Sequence, residues 1–243
     1  MSKRRWDKVP EDRLILALDV EPEDARDSIR ELAPHIGIFK IGGRLFTALG
    51  PQVVEWVHEA GRKVFLDLKF HDIPATTAGS VRYAARLKVW GLTVHASGGF
   101  AMMKEAQAAA REEARKLGTS KPIIFGVTVL TSFSKSDLSS VGVSGSTESQ
   151  VRRLAALARK AGLDGIVASG QEIGTVRKAA GPRMLIGVPG IRPDEGKKKD
   201  DQKRIMTPEK AAALGADYLI VGRPILEAHD RVRIISNIKR AFR

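Results

Sequence analysis

The chain contains no cysteine. Disulfide bonds, thiolate metal ligands and cysteine nucleophiles are therefore excluded, and a reducing cytoplasm is the expected environment. Long apolar runs are missing too, since no stretch approaches the roughly 18 residues of a membrane span. The apolar run at 14–18 is shorter than the about 7–15 apolar residues of a secretory signal, and it ends in Asp19. We expect a cytoplasmic protein with no membrane partner.

Aromatic residues are scarce, whereas positive charge is abundant. Phe, Trp and Tyr make up 5% of the chain, and 41 basic residues against 28 acidic ones give a net charge of +13. Such an excess can attract anions, but much of it lies in segments 111–121 and 197–204, which have few rings for base stacking. We interpret it mainly as a solvated surface and expect no nucleic-acid partner. A barrel that binds nucleic acid is the non-enzymatic alternative, and it predicts salt-sensitive binding that survives loss of Lys69.

Short apolar runs alternate with amphipathic segments along the whole chain. The runs are too short for helices and suit strands buried on both faces; they lie at 13–19, 36–42, 63–69, 91–96, 122–129, 164–169, 183–188 and 217–222. The helical patterns between and after them lie at 23–34, 44–60, 75–89, 100–117, 147–162, 171–180, 208–214 and 225–240. Eight such units predict a single (β/α)8 TIM barrel. A doubly wound open sheet is the alternative.

The domain organisation follows from the same pattern. Residues 1–12 form a charged N-terminal extension, and residues 13–243 form the barrel domain, without a linker-like stretch inside it. The segments 131–146 and 190–206 are the longest irregular stretches, and we interpret them as mobile loops.

Polar residues cluster where the predicted strands end. In a barrel, active sites form at the carboxyl ends of the strands. The polar residues at or just after those ends are Asp19, Lys40, Asp67, Lys69, Thr131, Ser169, Arg192 and Arg223. Helix capping could account for Asp19, Ser169 or Asp72 taken singly, but not for so many polar residues at one rim.

The third strand carries the sharpest pattern. Asp67 and Lys69 are two residues apart, so on an extended strand they point to the same face, the barrel interior. Lys40 on the neighbouring strand could extend the row to Lys40–Asp67–Lys69–Asp72, in which each charge stabilises the next. A carboxylate in such a row would repel a bound carboxylate, and the ammonium could protonate a carbanion as CO₂ leaves. A purely structural ion-pair network is the alternative.

A second group of residues suits an anion. Gly222 allows close approach of the backbone, Arg223 offers a forked donor, and barrels often bind phosphate after strands seven and eight. Arg192 and Gln202 follow strand seven and could reach the same anion. For most of segment 194–204 an exposed solvated loop is the alternative, although a lid that closes over substrate would have the same composition.

Taken together, these motifs resemble the bacterial type of orotidine 5'-phosphate decarboxylase. The motifs are D-x-K-x-x-D-I-P at 67–74, LALD ending at Asp19, FKIG at Lys40, GVTVLTS at Thr131, PGIRP at Arg192, DQKRIMTP at Gln202 and VGRPI at Arg223. Their order and spacing are specific, and the resemblance runs from about residue 13 to residue 240. It implies a cofactor-free homodimer of barrels that converts orotidine 5'-monophosphate to uridine 5'-monophosphate.

The resemblance also implies roles for individual residues. Lys69 would protonate C6 of the pyrimidine, and Asp67 would press against the substrate carboxylate. Asp19 and Lys40 would contact the ribose, while Asp72 and Thr76 would serve the site of the neighbouring subunit. Ser169 would recognise the base with Thr131 beside it; the phosphate would be held by Arg192, Gln202, Gly222 and Arg223.

The rival within the same barrel type is a metal-dependent sugar-phosphate decarboxylase or aldolase, which shares the D-x-K-x-x-D pattern. Those relatives carry a glutamate at the strand-two position to help bind Mg²⁺. Lys40 stands there instead and would repel a divalent cation. We therefore expect no metal and no organic cofactor.

Overall fold

A computed structural model of the protein describes residues 13–193 and 205–242. The predicted N-terminal extension and Gln202 lie outside these residues. Eight parallel strands form a closed barrel in chain order, with β8 paired to β1. The strands are β1 (Leu14–Ala17), β2 (Ile38–Gly42), β3 (Lys63–Phe70), β4 (Gly91–His95), β5 (Ile123–Val127), β6 (Gly165–Val167), β7 (Leu185–Val188) and β8 (Tyr218–Val221). The predicted (β/α)8 barrel is confirmed, and the open sheet is wrong.

The alternation of side chains along each strand separates two apolar layers. One residue of each neighbouring pair packs outward against the helices, as Leu14, Leu16 and Leu92 do. The other packs inside the barrel, as Ile15 and Phe65 do. Both faces of the sheet are therefore covered, which explains why the strands read as continuous apolar runs.

Four aromatic residues pack together inside the barrel: Phe65, Trp90, Phe125 and Tyr218. Phe65 lies edge-on to Phe125 with ring centroids 5.2 Å apart, and Trp90 lies edge-on to Tyr218 at the same spacing. These rings fill part of the barrel interior. Phe65 also lines a cavity at the carboxyl ends of the strands. The centre of the barrel is thus a packed core rather than a pore.

The helices surround the barrel; of those within residues 13–193 and 205–242, nine lie between successive strands and the last two follow β8. They are α1 (Ala25–Leu32), α2 (Gly43–Leu49), α3 (Gln52–Glu59), α4 (Pro74–Arg86), α5 (Gly99–Leu117), α6 (Lys135–Ser140), α7 (Thr147–Ala161), α8 (Ile173–Ala180), α9 (Pro208–Ala213), α10 (Arg223–Leu226) and α11 (Arg231–Arg240). Gly118 and Gly162 end α5 and α7 in the left-handed conformation, as expected for glycine after a helix. In the described residues no helix is both long and apolar enough to cross a membrane.

Three predicted segments differ from the structure. The helix expected at 44–60 is two helices, because Gly50 adopts a φ of +59° and Pro51 follows it. The helix expected at 225–240 is also two, α10 and α11, separated by residues 227–230. The loop expected at 131–146 contains α6, whose first turn is closed by a capping box between Ser134 and Asp137.

Candidate active site

A cavity of about 250 Å³ opens at the carboxyl ends of the strands. Its floor and sides are partly apolar, with Phe65, Val127 and Ile220 among the residues that line it. The charged and hydroxyl side chains around it are Asp19, Lys40, Asp67, Lys69, Thr131, Arg192 and Arg223. Most of the site residues predicted from the sequence therefore meet in one cavity, because parallel strands deliver their carboxyl ends to the same rim.

Four charged side chains form a row along one side of this cavity. Lys40 Nζ lies 3.2 Å from Asp19 Oδ1 and 3.6 Å from Asp67 Oδ2, and Lys69 Nζ lies 2.8 Å from Asp67 Oδ2. The side chains of Lys40 and Asp67 are only 11% and 12% exposed, whereas Lys69 is 37% exposed. Opposite charges at this spacing attract each other. The row holds Asp67 between two cations and leaves the Lys69 ammonium facing the cavity.

The third strand is not regular where it carries these residues. Leu66 pairs with Leu92 of β4, and Phe70 pairs with Val94, so residues 67–69 of β3 lie opposite the single residue Thr93. Such a bulge bends the strand and redirects its side chains. Asp67 and Lys69 both line the cavity as expected, but a bulge rather than plain strand alternation places them there.

Lys69 has a backbone conformation that is rare for a side chain of its size. Its φ is +49°, in the left-handed region that favours glycine. A residue held there costs about 1–3 kcal/mol and persists only where its surroundings fix it. The Lys69 N–H donates to Thr93 Oγ1 at 2.9 Å, and Thr93 Oγ1 donates to Asp67 Oδ1 at 2.9 Å.

Thr93 was not among the site residues predicted from the sequence. It is fully buried and occupies an inward position of β4, since its neighbours Leu92 and Val94 both pack outward. A polar residue at an inward position beside the active-site rim was the signal that could have identified it. The rim of strand four was the one position at which no candidate was named.

The same cavity also carries the residues expected to hold an anion. Arg192 and Arg223 both line it, and so does Gly222. A Cβ at Gly222 would lie 3.2 Å from Ala17 Cβ and 3.3 Å from Asp19 Oδ2, so only glycine fits without displacing its neighbours. Arg223 begins α10, which has only four residues, so the guanidinium groups rather than a helix dipole supply the positive charge here.

The two residues predicted to contact the pyrimidine base differ in their surroundings. Thr131 lines the cavity. Ser169 is fully buried beside Ala168, which lines the cavity, and its hydroxyl accepts the backbone N–H of Gln171 while its own N–H donates to Glu172 Oε2. Capping of the short 3-10 helix that follows accounts for part of the hydrogen-bonding capacity of Ser169.

Asp72 and Thr76 stand apart from this cavity. Both are exposed, and neither belongs to the residues that line it. The Asp72 carboxylate accepts the backbone N–H of Ile73 at 2.6 Å, and Ile73 itself is 66% exposed. Within one chain the charged row therefore runs Asp19–Lys40–Asp67–Lys69, and Asp72 does not extend it as the sequence suggested.

His95, at the end of β4, lies close to this row. Its ring centroid is 5.3 Å from that of His71. Burial lowers the pKa of His95 below its usual value, and the neighbouring His71 and Lys69 lower it further, against an opposing effect of Asp67. These surroundings favour the neutral form of His95.

The acidic groups of the site are arranged around lysines rather than around a common point. Lys40 Nζ lies between the carboxylates of Asp19 and Asp67. Across residues 13–193 and 205–242, no three or more His, Asp or Glu side chains come together in a way that could hold a metal ion.

The sequence matches the family described as "Orotidine 5'-phosphate decarboxylase / HUMPS family" over residues 12–238. It is 50% identical over 223 residues to orotidine 5'-phosphate decarboxylase of Moorella thermoacetica, covering 91% of this chain and 88% of that protein. The corresponding protein of Pelobacter propionicus is 48% identical over 227 residues, or 93% of each chain.

Solved structures agree with the sequence comparison. The crystal structure of orotidine 5'-phosphate decarboxylase from Lactobacillus acidophilus has a TM-score of 0.83 and 32% identity, covering 95% of this chain and 99% of that one. The match of nearly the whole chain to one family, together with identities near one half to several of its members, fixes the assignment. The chain belongs to the orotidine 5'-phosphate decarboxylase / HUMPS family.

Proposed function

We propose that this protein decarboxylates orotidine 5'-monophosphate to uridine 5'-monophosphate and CO₂, a step of pyrimidine nucleotide synthesis, without a cofactor. The observation that carries the proposal is the Asp67–Lys69 ion pair of 2.8 Å at the wall of a cavity that also holds two arginines. The relatives named above, which align with nearly the whole chain, are themselves orotidine 5'-phosphate decarboxylases.

The chemistry needs a negative group and a proton donor side by side. The substrate carboxylate lies against Asp67, and the two negative charges repel each other. The C6–carboxylate bond breaks, CO₂ leaves, and the electron pair remains on C6. Lys69 Nζ delivers its proton to C6 and later regains one from solvent. Loss of the carboxylate removes the repulsion only as the reaction proceeds, so the arrangement favours the transition state over the bound substrate.

The remaining residues of the cavity bind the rest of the nucleotide. Asp19 and Lys40, the first two residues of the charged row, contact the ribose hydroxyls. Thr131 and Ser169 serve the base. The phosphate lies against Gly222 between Arg192 and Arg223, whose guanidinium groups match a phosphate well; Gln202 joins them in the proposal from the sequence motif alone.

The active unit in this proposal is a homodimer in the cytoplasm. Asp72 and Thr76 are exposed and lie next to Ile73, a large apolar side chain 66% exposed at the same rim. An apolar side chain flanked by polar ones suits an interface. Asp72 and Thr76 would thus complete the site of the neighbouring subunit.

A decarboxylation assay with and without chelator tests the proposal. Purified protein treated with EDTA should convert orotidine 5'-monophosphate at the untreated rate, followed by the change in ultraviolet absorbance. The reason is that Lys40 occupies the space between Asp19 and Asp67 where a divalent ion would have to bind. Activity that disappears on chelation and returns with Mg²⁺ would instead indicate the metal-dependent rival.

A further inference from the structure

The two residues that carry the proposed chemistry share one buried partner on another strand. Thr93 Oγ1 accepts the backbone N–H of Lys69 and donates to the carboxylate of Asp67, both at 2.9 Å. A hydroxyl has one proton to donate and lone pairs to accept with, so it can make both bonds at once. Thr93 is fully buried, so water cannot readily replace either bond.

The bulge in β3 explains why a side chain is needed here. Residues 67–69 lie opposite Thr93 alone, and the regular ladder between β3 and β4 is interrupted over this stretch. The Lys69 N–H therefore bonds to the Thr93 hydroxyl instead of a strand carbonyl. The same residue has a φ of +49°, a conformation that must be held by its surroundings.

The second bond of Thr93 fixes the other half of the ion pair. Asp67 Oδ2 faces the ammonium groups of Lys40 and Lys69, while Asp67 Oδ1 accepts from Thr93. With both oxygens engaged, the plane of the carboxylate is set. One atom, Thr93 Oγ1, is thus hydrogen-bonded to both the Lys69 backbone and the Asp67 carboxylate.

We propose that Thr93 is a positioning residue for the decarboxylation, which holds Lys69 in its strained conformation and orients Asp67 toward the substrate carboxylate. It touches neither substrate nor the cavity and acts only through these two residues. The inference rests on the proposed function, because its effect is read as loss of that turnover.

The test compares Thr93→Val with Thr93→Ser. Valine keeps the shape but lacks the hydroxyl, so we expect kcat to fall about 10- to 100-fold, the range expected when reacting groups shift by a fraction of an ångström. KM should change less than about threefold, because the groups proposed to hold the phosphate and the base are untouched. Thr93→Ser retains the hydroxyl and should restore most of kcat.

Thr128→Val is the matched control. Thr128 is also a buried threonine and directly follows β5, and its hydroxyl donates to Val167 O at 3.1 Å, but it makes no bond to the charged row. We expect its kcat to stay at the wild-type value even if the protein becomes less stable. If Thr93→Val does not fold, Thr93→Cys, which matches Thr93→Ser in shape but has a weaker hydrogen-bonding group, is held to the same thresholds.

The outcomes separate the two proposals. A wild-type protein that fails to turn over orotidine 5'-monophosphate overturns the proposed function itself. An active wild type with unchanged kcat in Thr93→Val, a loss expressed only in KM, or no recovery in Thr93→Ser overturns the role of Thr93 and leaves the function standing.

Discussion

The two ends of the barrel both carry a lysine–aspartate pair, but the pairs differ in what else the carboxylate binds. At the amino-terminal end, Asp164 Oδ2 lies 2.6 Å from Lys121 Nζ and also accepts the backbone N–H of Ile124 at 2.9 Å, which ties the segment before β6 to β5. At the carboxyl end, the Lys69–Asp67 pair is just as close, at 2.8 Å, but it faces a cavity. Ion-pair distance alone does not distinguish a pair that ties two segments of the barrel together from a pair that lines a cavity.

The arginines repeat the same contrast. Arg177 at the amino-terminal end donates to the backbone oxygens of Met184 at 2.6 Å and Gly215 at 3.0 Å and pairs with Asp217 at 3.0 Å. Arg223 at the other end lines the cavity. Charge that binds the backbone of neighbouring strands stabilises the barrel, whereas charge that lines a cavity can also contact a bound ligand. Matched substitutions at the two ends of the barrel therefore test the comparison.

The largest effect is expected at the lysines. Lys69→Ala removes the proposed proton donor, so kcat should fall at least about 10²- to 10⁴-fold, the usual contribution of a general acid, while urea unfolding changes little. Lys121→Ala is the matched variant: kcat should persist, while the free energy of unfolding drops by about 1–3 kcal/mol because Asp164 loses a partner. Substantial turnover by Lys69→Ala would remove Lys69 from its proposed role.

The second prediction concerns the number of chains that each end of the barrel needs. The floor of the barrel is closed within one chain, whereas the active site at the rim is proposed to need residues of two subunits. Asp72→Asn and Lys69→Ala should each be nearly inactive alone. When the two are unfolded together and refolded as a mixture, about a quarter of the wild-type activity should return, because half of the dimers are mixed and each mixed dimer has one intact site. Failure to recover activity, with dimers shown by light scattering, would place Asp72 in the site of its own chain. Full activity of Asp72→Asn alone would place it in no site.

The smallest change in turnover is expected at the arginines. Arg223→Ala should lower kcat/KM about 10- to 150-fold, mainly through KM, the loss expected for a hydrogen bond to a charged group. Arg177→Ala should keep kcat/KM and lose about 1–3 kcal/mol of stability, because the carbonyls and Asp217 are left with fewer donors. An unchanged kcat/KM in Arg223→Ala would mean that the phosphate binds elsewhere.

Much of the fold could be predicted from the sequence, because the signals involved are local. Short apolar runs are properties of neighbouring residues, and they located all eight strands. The same local signals predicted one helix at 44–60 in place of α2 and α3, because the amphipathic pattern continues across Gly50 and Pro51. They did not indicate α6, because six residues are too few to show a helical period.

The site was predicted unevenly for a similar reason. Strand ends could be counted along the sequence, so Asp19, Lys40, Asp67, Lys69 and Arg223 were named before their contacts were known, and the structure brings them to one cavity. Thr93 was missed because its role depends on a bulge in a different strand. Nothing in the segment 91–95 alone indicates that the opposite strand has lost its regular hydrogen bonds.

By itself, the sequence determined the order and number of the strands, the exclusion of cysteine chemistry, and the presence of a carboxylate–lysine row at one rim. Only the tertiary structure decided that Lys69 adopts a left-handed backbone, that Thr93 holds it, and that Asp72 lies outside the cavity of its own chain. The physical reason is that composition and periodicity are properties of one segment. Backbone strain and shared hydrogen bonds arise only when segments distant in sequence are packed together.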